Sequence, residues 1–115
     1  MTTLQLRASD GTTLSAYVVK PEGTPRGAVV VVQEIFGVNS HVRGVVEQYA
    51  SEGYVAIAPA MFDRFQKDVD LGYDAKGIEQ GVALMMRTTN ESTLADLTAA
   101  ITTVTHAGRV RMVGY

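Results

Sequence analysis

The stretch AVVVVQEIFGVNS, residues 28–40, decides how the chain is read. A continuous β-branched run from Ala28 to Val32 has no polar face, which marks a strand covered on both sides and typically parallel to its neighbours. The chain then turns polar at Gln33 and Glu34 and passes through a loop that contains Gly37. Asn39 or Ser40 can cap the helix that follows, from about His41 to Glu52. In that helix Val42, Val45, Val46, Tyr49 and Ala50 fall on one stripe, and Gly53 stops it.

Working outward, LQLRASDGTTLSAYVV (residues 4–19) predicts two strands around a turn. Leu4 and Leu6 alternate, Ser9-Asp10-Gly11 supplies the turn, and Leu14, Ala16 and Val18 alternate again. KPEGTPRG (residues 20–27) is a loop. YVAIAP (residues 54–59) is a second buried strand, and residues 60–72 read as loop. A helical stretch carries Ile78, Val82, Met85 and Met86, with both methionines expected in the core, and breaks near Thr88-Thr89-Asn90. A last helix, about Glu91 to His106, places Leu94, Leu97, Thr98, Ile101, Val104 and Thr105 on one face. Val110, Met112 and Val113 then read as a short buried strand. Strands and helices in alternation predict an α/β layered sheet that begins with an antiparallel hairpin.

Length and charge narrow the function classes. The 115 residues make one domain at most, and 46% apolar with 19% charged residues is ordinary globular composition. A net charge of −2 spread over both signs points to neither nucleic acid nor a membrane surface. No apolar run approaches the length of a bilayer span. The N-terminus lacks the basic and apolar regions of a secretory signal, so a cytoplasmic protein is expected. Without cysteine the stretch has no disulfide and no thiolate metal site, and no metal or cofactor is expected.

In a parallel α/β sheet, chemistry gathers at the carboxyl ends of the strands. Three stretches stand there: Gln33 to Gly37, Pro59 onward, and Gly114-Tyr115. A carboxylate directly after a fully apolar strand is costly unless solvated, paired or used, so Glu34 is either a solvated loop residue or a working group. No G-x-G-x-x-G follows a strand and no G-K-[ST] occurs, which removes the dinucleotide and P-loop readings. Asp63 and Arg64 could form a functional pair, although a surface salt bridge is the simpler expectation. His41, at a helix start, and His106, at a helix end, are not expected to be catalytic.

VVQEIFGVNSHVRGVVEQYASEGYVAIAPAMFDR, together with DLTAAI and the final VRMVGY, closely resembles the dienelactone hydrolases, over about Asp10 to Tyr115. These are α/β-hydrolase-fold enzymes that open a lactone ring in aromatic-compound breakdown with a cysteine thiolate, a histidine and an aspartate. The resemblance implies that Glu34 is an extra carboxylate that helps to activate the resting thiol. It implies that the Ile35 main-chain N–H is one oxyanion donor. The family's nucleophile elbow reads G-Y-C-x-G-G, and Gly114 and Tyr115 match its first two positions. The nucleophile, cysteine or serine, would be the next residue. Residues 1–115 are therefore expected to be the N-terminal half of one α/β-hydrolase domain, to need the C-terminal half, and to be inactive alone.

One departure concerns the substrate. The family's substrate-binding arginine and a nearby tyrosine align, without gaps, with Ile78 and Val82. A neutral wall there does not favour an anionic dienelactone, and a broader lactone or ester range is expected. Arg64 matches an arginine of the family without an assigned role. The alternative is a non-catalytic α/β domain that binds a small molecule or a partner, or an inactive remnant.

Overall fold

The structure, a computed structural model, describes residues 2–114. Its hairpin is β1 (Thr2–Arg7) and β2 (Thr13–Val19), paired antiparallel with Leu6 opposite Leu14. The turn is closed by a 2.9 Å hydrogen bond from the Gly11 N–H to the Ala8 carbonyl, and by the Asp10 carboxylate accepting from the Thr12 N–H at 3.1 Å. Then follow β3 (Ala28–Val32), α1 (Ser40–Ser51), β4 (Val55–Pro59), α2 (Ala75–Met85), α3 (Asn90–Val104) and β5 (Val110–Gly114). A 3₁₀ turn, Thr105–Ala107, ends α3 two residues before the predicted limit at its C-terminal side.

The sheet runs β1-β2-β4-β3-β5, with β3 parallel to both β4 and β5. The reason for the valine run is visible in its two faces. Ala28 and Val30 pack with Leu14, Ile57, Ala100 and Val104 beneath α3, whereas Val29 and Val31 pack with Val42, Val46 and Ala58 beneath α1. Both faces are therefore covered, as the unbroken apolar run requires. Burying each such side chain contributes about 1.5–3 kcal/mol.

The two ends of α1 agree with the sequence. Asn39 is the N-cap of α1, its side-chain oxygen accepting from the Val42 N–H at 3.0 Å. Gly53 leaves the helix at φ +102°. Thr89 and Ser92 form a reciprocal capping box that starts α3.

Other expectations are corrected. Met85 and Met86 are 45% and 77% exposed, so they do not fill the core. Helix α2 buries Gly77, Gly81 and Leu84 instead, because only glycine lets its backbone approach the loops below. On α3 the buried line is Asp96, Ala100 and Val104, while Leu94 faces outward and Thr98 and Thr105 are exposed. The apolar residues of α3 occupy more than one face, so their spacing alone did not select the buried one. Strand β5 is also less buried than predicted, with Met112 half-exposed. It pairs with β3 on one side and with no strand on the other among the described residues. Tyr115, part of the predicted strand and elbow, lies outside the described residues.

Candidate active site

Where β3 ends, the chain makes a tight turn that holds Glu34 and Ile35 at the carboxyl edge of the sheet. The Gly37 N–H donates to the Glu34 carbonyl at 3.3 Å, and Gly37 takes φ +85°. A Cβ on Gly37 would lie 2.1 Å from the Val69 carbonyl oxygen, so glycine is required both for the angle and for the close approach. The Leu71 N–H donates to the Phe36 carbonyl at 2.9 Å, joining this turn to the loop after β4.

Gln33 ties the same two loops through its side chain. Its amide nitrogen donates to the Glu34 carbonyl at 3.0 Å, and its amide oxygen accepts from the Met61 N–H at 2.8 Å. Behind the turn, Phe36 meets Tyr73 edge to face at 4.4 Å, and the Asn39 amide donates to the Tyr73 hydroxyl at 3.0 Å. Asn39 thus caps α1 and anchors this loop. Helix α2 closes the arrangement, since Gly81 packs against the Ile35 carbonyl.

Glu34 and Ile35 border one cleft of about 540 Å³. Its other lining residues are Val32, Gln33, Phe36, Met61, Phe62, Met85, Thr88 and Thr93. Glu34 is half-buried, and its carboxylate has no hydrogen bond or ion pair with any described residue. The Ile35 N–H likewise has no acceptor among the described residues. A carboxylate and a main-chain N–H with no acceptor among the described residues therefore stand on adjacent residues that border an apolar cleft. Chemically, a carboxylate can take a nucleophile's proton, and a main-chain N–H can donate to an oxygen that develops negative charge.

Strand β5 brings Gly114 level with Val32, one residue before Gln33, so the end of β5 lies beside the Glu34 turn. His41 in the first turn of α1 and His106 in the turn after α3 do not line the cleft. Ile78 and Val82 do not line it either; they stand 44% and 40% exposed on the outer side of α2. The cleft wall formed by Met61, Phe62, Met85, Thr88 and Thr93 was not foreseen. Only the breaks in helical pattern at Thr88 and after Pro59 hinted that these segments could reach a common edge.

Asp63 and Arg64 do not pair with each other. Asp63 is buried and accepts from the Ser15 N–H at 2.8 Å and the Asp68 N–H at 3.3 Å. Arg64 turns the other way and forms a two-pronged contact with Asp96, which is 2% exposed, while also binding the Asp10 carboxylate at 2.8 Å and the Thr12 hydroxyl at 3.2 Å. It joins α3, the β1–β2 turn and the loop after β4. The Asp96 hydrogen bonds raise the Arg64 guanidinium above its ordinary value. Arg64, in turn, lowers the Asp10 carboxyl to about 2, helped by the Thr12 N–H. This is a structural junction away from the cleft. A lone carboxylate on the Ala100–Val104 face of α3 was the one signal for it.

No described helix is long and apolar enough to cross a membrane. The sequence matches the dienelactone hydrolase family over residues 14–115. It is 43% identical over 101 residues to a "Putative carboxymethylenebutenolidase" of Synechocystis, covering 87% of this chain and 41% of that protein. It is 33% identical to a carboxymethylenebutenolidase of Pseudomonas putida, covering 97% of this chain and 50% of that protein. Its backbone superposes on the crystal structure of a "Putative Dienelactone Hydrolase" from Klebsiella pneumoniae with a TM-score of 0.78 and 28% identity, over 99% of this chain and 49% of that one. The chain spans about half the length of these relatives. The strand order, the two helical layers and the extent of the match agree on one conclusion: the chain belongs to the dienelactone hydrolase family, with the α/β-hydrolase fold.

Proposed function

We propose that this chain forms the N-terminal half of an enzyme that hydrolyses a lactone or carboxylic ester, working in the cytoplasm. The observation that supports this reading is that Glu34 and Ile35 border one cleft beside the end of β5. The nucleophile is a cysteine immediately after Tyr115, and the C-terminal half supplies it together with a histidine and an aspartate. Alone, residues 1–115 are inactive.

In the acylation step the thiolate attacks the carbonyl carbon, and the carbonyl electron pair moves onto oxygen. The Ile35 N–H donates to that oxyanion; a donor of this kind is worth about 2.7–4 kcal/mol in the transition state. Collapse expels the alkoxide, which takes a proton from the histidine of the C-terminal half, and leaves a thioester. Water then attacks the thioester, releasing the acid and the thiolate. Glu34, beside the thiol, accepts its proton before attack, and that proton passes through the histidine to the expelled alkoxide.

The test is hydrolysis of a lactone and of an aryl ester by the full-length protein and by Glu34→Gln. We expect turnover by the first and a loss of roughly 10²-fold or more in the variant, at unchanged thermal stability. Near-normal turnover by Glu34→Gln would remove Glu34 from the mechanism. Alkylation of the thiol with iodoacetamide should abolish activity, and activity that survives full alkylation would exclude a cysteine nucleophile.

A further inference from the structure

We infer that the cleft selects an uncharged, apolar acyl group, with Met61, Phe62 and Met85 as its specificity-determining wall; the inference rests on the hydrolase reading above. Three observations carry it. First, the wall is thioether and aromatic surface, and its remaining polar side chains beyond Gln33 and Glu34 are the hydroxyls of Thr88 and Thr93. An alkyl or aryl acyl group displaces water from that surface. The unbranched methionines can adapt to its shape.

Second, the one charged group bordering the cleft among the described residues is Glu34. A substrate carrying its own carboxylate would place a like charge near Glu34 against low-dielectric walls.

Third, the cations closest in sequence to the wall are directed elsewhere. Arg87 adjoins Thr88, yet its guanidinium lies over the Phe65 ring at 4.7 Å from the centroid, and it borders a separate cavity with Gln66 and Gln80. Arg64 follows Phe62 by two residues, yet it is held by Asp96 and Asp10. Neither reaches the cleft as a counter-ion.

The experiment compares two esters on the full-length protein: 4-nitrophenyl butyrate and mono-4-nitrophenyl succinate. They differ by a terminal methyl against a carboxylate. The expected kcat/KM is higher for the butyrate by about tenfold or more, with the gap narrowing at high salt. Met85→Arg, at a half-exposed position where a long side chain can be accommodated, should raise succinate turnover and shrink the ratio. Equal or faster wild-type turnover of the succinate overturns the inference and leaves the hydrolase reading intact. An unchanged ratio in a folded Met85→Arg protein overturns the assignment of Met85 to the wall. Turnover of neither ester would bring down the hydrolase reading together with the inference.

Discussion

A Cβ added to Gly81 would lie 2.2 Å from the carbonyl oxygen of Ile35, so α2 and the turn after β3 meet backbone to backbone. The residue that carries the proposed oxyanion donor is therefore seated against a helix through its carbonyl. Gly81→Ala sets a gain in helix propensity of about 1 kcal/mol against a collision with main-chain atoms that have no rotamer to escape into. We expect the collision to win, with a net loss of about 1–3 kcal/mol in urea unfolding. Because the Ile35 peptide would shift, kcat should fall more than KM rises. A variant that is as stable and as active as the parent would show that the contact does not hold the turn.

Arg64 and Asp96 form the most buried ion pair described, and removing Arg64 leaves the buried Asp96 carboxylate without its counter-ion. Arg64→Met should cost about 3–5 kcal/mol, read by chemical denaturation. Arg64→Lys should recover only part of this, because an ammonium group cannot reproduce the two-pronged contact. Asp10→Asn should cost markedly less, since Asp10 is exposed and solvent screens its interaction.

The same junction predicts a pH response. Asp10 is lowered from its ordinary 3.8 to about 2 by its bond to Arg64. A carboxyl depressed in the folded state favours folding above its unfolded value and loses that contribution as pH falls through the folded one. The difference in melting temperature between the parent and Asp10→Asn should therefore be constant above about pH 4 and shrink towards pH 2. A difference that holds steady down to pH 2 would show that Asp10 is not depressed.

Asn39 serves two partners, the Val42 N–H and the Tyr73 hydroxyl. Asn39→Ala removes both and should cost about 1–2 kcal/mol for the cap alone. Tyr73→Phe keeps the cap and the edge-to-face contact with Phe36, so its cost should be smaller. Equal losses in the two variants would mean that the Tyr73 bond, and not the cap, carries the effect.

Much of the fold was legible because it depends on local pattern. A β-branched valine run with no polar face reads as a doubly covered strand, and Val42, Val46 and Ala50 kept a single stripe on α1. Helix α2 defeated the same logic. Its large apolar residues Ile78, Val82 and Met85 are the exposed ones, because Gly77 and Gly81 pack closely against the chain beneath. Of the site, Glu34 and Ile35 were legible from their position after β3. The wall that faces them was not, since Met61, Phe62, Met85 and Thr93 come from three separate segments.

By itself, the sequence determined the alternation of strands and helices, a cap for α1 at Asn39 or Ser40, and the family, since each is written in neighbouring residues. Only the tertiary structure decided that Arg64 joins Asp96 and Asp10, 32 and 54 residues away, in preference to adjacent Asp63. The physical reason is that a charged side chain finds its partner by proximity in space, and in this sheet that proximity is created by packing helices on both faces.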